Sequence, residues 1–174
     1  HVAAVARDSK QVAYSWYRGQ TGRDELRVAS LDGTGSSQSR FLFADEEAPR
    51  IDPLDWSPDG NWIAVQLQRK DHTGQMGLIS VRDGSLRVLK SADWLGANEL
   101  FFSPDGKYLG FDLPVGDTAN DPRDVFILAV DGSRQIPAAV SSSNDTMMGW
   151  SPDGKHLLFA SDRGGTAGLW AVSV

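Results

Sequence analysis

Acidic side chains carry most of the chemistry this sequence could perform. Asp112, Asp117, Asn120, Asp121 and Asp124 fall within thirteen residues, and closely spaced oxygen ligands on a loop are what Ca²⁺ takes. Their spacing matches no established calcium loop, and Arg123 among them offers local compensation, so the cluster reads as solvated loop charge. Asp59, Asp105 and Asp153 recur in one context and could pass for repeated acid catalysts. Each follows Ser-Pro and precedes Gly, where an aspartate caps a turn through backbone amides. Of three histidines, His1 is terminal, His72 sits beside Arg69, Lys70 and Asp71, and His156 fills a strand position; a His-rich metal site is not indicated. Cysteine is absent, which removes disulfides and thiolate metal ligands. Gly149-Trp150-Ser151-Pro152-Asp153 misses the nucleophile elbow at its last position. Gly33-Thr34-Gly35 leads into serines and a strand, so it makes no dinucleotide fingerprint. No catalytic residue, metal or cofactor is assigned.

The elements that would position these groups announce themselves by repetition. Ser-Pro-Asp-Gly occurs at Ser57-Pro58-Asp59-Gly60, Ser103-Pro104-Asp105-Gly106 and Ser151-Pro152-Asp153-Gly154, at intervals of 46 and 48 residues. A period in the forties marks a repeat architecture. Serine, proline and glycine suit the first, second and last positions of a type I turn, and such a turn with a left-handed glycine joins hairpin strands. Trp56, Phe102 and Trp150 precede the copies and are expected to form one core layer between repeats, since aromatics of that size dominate core energetics. Behind the turns, Ile63/Val65/Leu67, Leu109/Phe111/Leu113 and Leu157/Phe159 alternate with the period of a half-buried strand. Asp8-Ser9-Lys10 followed by Val12, Tyr14 and Trp16 is a degenerate first copy.

Asp-Gly at 32–33, 83–84 and 131–132 follows in step, a hairpin signal between apolar runs. Four antiparallel strands per repeat result, and the expected fold is an all-β propeller with one blade per repeat. The blades fall roughly at 1–43, 51–89, 97–137 and 145–174, in one domain or propeller segment, with the last lacking its fourth strand. That count suggests part of a larger propeller, or a partial one that self-associates through open blade edges.

Trp56-Ser57-Pro58-Asp59-Gly60-Asn61-Trp62-Ile63-Ala64-Val65, Trp150 to Lys155 and the run Phe159 to Gly165 with Gly168-Leu169-Trp170 resemble the WD-like repeats of TolB-type propellers. The resemblance spans nearly the whole chain. It implies a propeller fold, no cofactor and a periplasmic or extracellular location. It leaves function open among a TolB-like adaptor, the gating propeller of a prolyl-oligopeptidase-like hydrolase whose catalytic domain lies elsewhere, and a funnel-site lyase such as one acting on sugar acids.

A formal charge of −6 and pI near 4.9 argue against a nucleic-acid partner, and no apolar run approaches the 18 residues that would insert in a membrane. In a blade the 1→2 and 3→4 connections share one face and the 2→3 and 4→1 connections share the other. The first set is tight and repetitive. The second varies: Tyr17–Asp24, Gln68–Gln75, Pro114–Asp124 and Asp162–Ala167, with Ala44–Arg50, Lys90–Ala97 and Ala138–Asn144. Repeat proteins place their variable insertions on the binding face, and arginine and tryptophan are enriched at interface hot spots. The partner-binding candidates are Arg18, Arg23, Asp45, Glu46, Glu47, Arg69, His72, Trp94, Asp121, Arg123 and Arg163. The expected function is a non-catalytic scaffold that binds a protein or peptide on this long-loop face.

Overall fold

A computed structural model describes residues 2–31, 39–92, 96–116, 118 and 121–174. The chain divides into two compact units, His1–Gly96 and Ala97–Val174. Within each sheet every strand pairs antiparallel with its neighbours in sequence.

The first unit holds two four-stranded sheets. One runs β1 (Ala3–Val5), β2 (Gln11–Arg18), β3 (Arg23–Ser30) and β4 (Arg40–Phe43); the other runs β5 (Arg50–Trp56), β6 (Trp62–Gln68), β7 (Gly74–Ser80) and β8 (Leu86–Ala92). Their facing sides bury Ala4, Ala13, Leu26, Val28 and Leu42 with Ile51, Trp56, Ile63, Val65 and Leu67. Strand β6 is buried through five consecutive residues, because both faces of its sheet are partly covered. The second unit holds β9 (Leu100–Phe102), β10 (Tyr108–Pro114), β11 (Arg123–Ala129) and β12 (Gln135–Ala139), then a three-stranded sheet of β13 (Thr146–Trp150), β14 (His156–Ser161) and β15 (Gly168–Ser173). Val125, Ile127, Met147, Leu157 and Phe159 form its core. In β14 alternate residues are buried, the signature of a sheet covered on one side.

The repeated turns explain why these strands begin where they do. In all three Ser-Pro-Asp-Gly copies glycine adopts φ of 70–73°, a region costly for any residue with a Cβ. The serine hydroxyl donates to the aspartate, the amide two residues after the aspartate donates to that same carboxylate, and the serine Oγ accepts the amide that opens the next strand. Ser9 occupies the glycine position of the degenerate copy with φ of 59°. Asp83 and Asp131 accept the amide and hydroxyl of the serine two residues on in the same way; the turn expected at 32–33 lies outside the described residues.

Two expectations are corrected. Three of the four 2→3 connections are shorter than the polar sequence suggested, while the last spans 162–167 as expected. Strand β3 reaches back to Arg23, paired with Arg18, so the first connection spans 19–22, and the next two span 69–73 and 115–122. Charged residues at a strand end look like loop in one dimension, yet their backbone continues the ladder. The aromatic layer also divides: Trp56 and Phe102 are 1% and 2% exposed, whereas Trp150 is only half-buried and forms part of an open cleft. Each indole still donates to a carbonyl in the sheet before it, Trp56 to Ala4 and Trp150 to Phe101, both at 2.9 Å.

Candidate functional site

In the first unit the long-loop face is built around the acidic run Asp45-Glu46-Glu47. Arg23 Nη1 lies 3.1 Å from Glu46, Arg69 Nη1 3.5 Å from Asp45, and Lys70 Nζ 3.2 Å from Glu47. The backbone ties the same segment down: Asp24 donates to Pro49 at 2.8 Å and Lys70 to Glu47 at 3.0 Å. Ion pairs this exposed add little stability; their effect is to fix the loop relative to both hairpins beside it. Tyr17 stands out from this face, as does Arg18, whose Nη1 meets Glu25 at 2.9 Å. Glu25 is itself buried and also receives Arg27 at 2.8 Å. His72 is exposed at a left-handed φ of 68°, held by Asp71, whose carboxylate takes the hydroxyl and amide of Thr73 and is pushed below its ordinary range by those bonds.

The corresponding face of the second unit rests on two buried aspartates. Asp112 accepts Arg123 Nη2 at 3.1 Å, the Asn98 amide at 3.1 Å and the Met147 amide at 3.2 Å. Asp145 accepts Arg163 Nη2 at 2.6 Å and the Ser141 hydroxyl at 3.0 Å. Arg163 also bonds Ser161 Oγ and lies over Phe159 and Trp170, 4.8 and 5.4 Å from the ring centroids. Burial, with Asp112 nearby, raises the carboxyl of Glu99 above its ordinary value. A buried ion pair seldom adds net stability, but removing one partner strands a charge. These pairs tie β10 to β11 and the segment before β13 to the turn after β14.

Placement therefore sorts the sequence candidates. Arg18, Arg23, Arg69 and His72 gather on the first unit's face. Arg123 does not belong to the surface: it is buried against Asp112, because the charge that looked like local loop compensation turns inward to neutralise an interior carboxylate. Arg163 is partly exposed but committed to Asp145 and two rings. Asp121 turns on its own loop, accepting the Thr118 amide at 2.7 Å. Asp124 caps the Ser141 amide. Trp94, Asp117 and Asn120 lie outside the described residues. Tyr17, Glu25 and Asp145 were not singled out by the sequence; an aspartate directly before a core strand was the available signal for Asp145.

The serine, aspartate and histidine of the last repeat sit close together without forming a catalytic set. Ser151 Oγ donates to Asp153 and accepts the His156 backbone amide, as its counterparts do with Trp62 and Tyr108. The hydroxyl is spent on the turn.

Consecutive antiparallel sheets of three and four strands, with repeated turns between strands of each sheet, define the class: a β-propeller chain built blade by blade. No family model matches it. The uncharacterized protein Atu1656 of Agrobacterium fabrum (strain C58) is 30% identical over 164 residues, covering 87% of this chain and 51% of that protein; the chain spans about half the length of this curated relative. TolB from Acinetobacter baumannii is 23% identical with a TM-score of 0.68, over 94% of this chain and 39% of its own. A TolB-type structure from Agrobacterium tumefaciens is 18% identical with a TM-score of 0.75, over 99% and 57%. An oligogalacturonate lyase in complex with manganese gives 18% and 0.69, over 95% and 45%. At these identities the likeness establishes the TolB-like propeller fold, and a fold alone does not fix a function.

Proposed function

We propose that this chain is a non-catalytic propeller scaffold that binds a protein or peptide partner through its long-loop face, outside the cytoplasm. One observation carries the reading. The acidic run 45–47 is clamped by Arg23, Arg69 and Lys70 from two hairpins, which leaves a preorganised charged surface fringed by Tyr17, Arg18 and His72. A surface fixed before binding loses less entropy on association, and such loops on a rigid scaffold are where recognition concentrates. The TolB-like fold supports an adaptor role. Among the described residues no helix is long and apolar enough to cross a membrane.

The test is site-specific photocrosslinking in extracts of the producing organism. A photoreactive residue at Tyr17 or His72 should capture a discrete protein partner, and one at Asn61 on the opposite face should not. Arg69→Ala should weaken the purified partner's binding by about 1 kcal/mol or more with little change in melting temperature. Capture from Asn61 alone would overturn the assignment of the face.

A further inference from the structure

The sequence holds six Asp-Gly pairs, beginning at Asp32, Asp59, Asp83, Asp105, Asp131 and Asp153, and each is a place where the main chain can rearrange. The glycine nitrogen, on giving up its proton, attacks Cγ of the preceding aspartic acid. The carboxyl oxygen leaves as water and a five-membered succinimide closes. Water then adds back at either ring carbonyl, restoring aspartate or routing the main chain through Cβ as isoaspartate. The product is an isomer of the starting chain: one water leaves, one returns, and nothing is oxidised or reduced. Glycine favours the attack because it carries no Cβ beside the nitrogen.

Ring closure requires the aspartate backbone to rotate and the glycine amide to leave its own partner. In the five described pairs that amide is in use. Gly60, Gly106 and Gly154 donate to the serine three residues back at 2.9 Å, Gly84 to Ser80 at 2.9 Å and Gly132 to Ala129 at 2.8 Å. Each turn must therefore open before it reacts, and what resists opening differs between them. In the Ser-Pro-Asp-Gly copies the serine that bonds the aspartate also accepts the amide opening the next strand, so freeing the carboxylate loosens the strand as well. The turn at Asp83-Gly84 is wedged. The Val81 carbonyl accepts Arg40 Nη2, and a Cβ on Gly84 would come within 2.1 Å of the Leu42 carbonyl oxygen. An isoaspartyl chain is one methylene longer, which this contact opposes.

Asp131-Gly132 shares the sequence Asp-Gly-Ser with Asp83-Gly84, and its carboxylate takes the same two groups, the amide and hydroxyl of the serine two residues on. Its surroundings are different. Residues 131–134 are all exposed, and no described atom lies within 4 Å of the place that a Cβ on Gly132 would occupy. We propose that Asp131 is a modification site, which converts to isoaspartate in the folded protein ahead of the other four described Asp-Gly pairs. Exposed turns open locally at far less cost than global unfolding, and a reaction slower than reclosing draws on the open population. The product presents an α-carboxylate on a side branch, the methyl acceptor for a carboxyl methyltransferase of the isoaspartate-repair type. The turn joins β11 to β12, on the face opposite the long loops, so this site stands independently of partner binding through them.

The test ages the purified folded chain in warm buffer and maps its peptides over time by electron-transfer fragmentation, which distinguishes aspartyl from isoaspartyl linkages. Isoaspartate should accumulate at Asp131 at least about tenfold faster than at Asp83 or in the Ser-Pro-Asp-Gly turns. The Asp131 peptide from the aged chain should take a labelled methyl group from S-adenosylmethionine on a purified isoaspartyl methyltransferase, and the Asp83 peptide should not. The same chain aged in urea should convert Asp83 and Asp131 at similar rates, because they share Asp-Gly-Ser and the contacts that separate them are gone. Equal rates at Asp83 and Asp131 in the folded chain would overturn the proposal. So would a folded chain in which Asp131 stays unmodified while the urea sample converts, or a preference for Asp131 that persists undiminished in urea.

Discussion

At the scale of single residues, the repeat supplies its own controls. Ser9 takes the left-handed position that glycine holds in the other three copies, at a steric cost that glycine avoids. Ser9→Gly should therefore raise stability by about 0.5–1 kcal/mol, read as a higher urea midpoint at unchanged slope. A lower midpoint would mean that the Ser9 side chain repays its strain. The tryptophans provide a second contrast. Trp56 is fully buried and Trp150 borders solvent, although both indoles make the same hydrogen bond. Trp56→Ala should cost roughly 3–5 kcal/mol and Trp150→Ala about half as much. Equal losses in denaturant titrations would contradict the difference in burial.

At the scale of the element, the Ser-Pro-Asp-Gly turns and the turns at Asp83 and Asp131 are each held by a carboxylate that accepts the turn's hydrogen bonds. Serine hydroxyls and backbone amides hold Asp105 and Asp153 below the ordinary carboxylate range; at Asp59 burial opposes the shift, and bonds from Ser57 and Asn61 outweigh it. At Asp83 the hydroxyl and amide of Ser85 lower the pKa to about 2. A depressed folded-state pKa contributes stability above the unfolded value, near 4, that is lost as pH falls toward the folded one. Glu99 has the opposite sign, with its pKa raised by burial, so it favours the folded state at low pH and loses that contribution as pH rises through its folded value. The four turn aspartates outnumber it. Melting temperature should fall modestly between about pH 4 and pH 2, because these carboxylates are largely exposed, and Asp105→Asn should flatten that limb while lowering stability at pH 6. Identical acid limbs in the variant and the parent would rule out the turn carboxylates as its cause.

For the whole molecule, the consequential surfaces are those the sheets leave uncovered. Val5, Trp16 and Phe41 are more than half exposed in the first sheet, as are Met148 and Leu169 in the last. In β2, Trp16 lies on the side opposite buried Ala13 and Ser15, and Leu169 pairs with Ala160 in β14. Exposed apolar groups on strand faces and edges invite association. Light scattering should show mass rising with concentration, and Leu169→Lys should reduce the rise. A particle that stays at 18.9 kDa at every concentration, with and without the substitution, would show these faces to be inert.

Local chemistry made the architecture legible in the sequence. A Ser-Pro-Asp-Gly turn is specified by four consecutive residues, and alternating side chains specify a strand covered on one face. Repeating both three times identifies blades, their order and their antiparallel sense without any long-range information. The site was legible only in outline. Which end of the blades carries the variable connections follows from strand count, but whether Arg123 faces solvent depends on Asp112, eleven residues away on the neighbouring strand. Arg163 is likewise decided by Asp145 and Trp170, and the half-exposure of Trp150 by the open groove along β12. Polar residues look alike in one dimension whether they end a strand, neutralise a buried charge or meet a partner. Only tertiary structure separates those fates, because each depends on which side chains other segments of the chain bring within hydrogen-bonding distance.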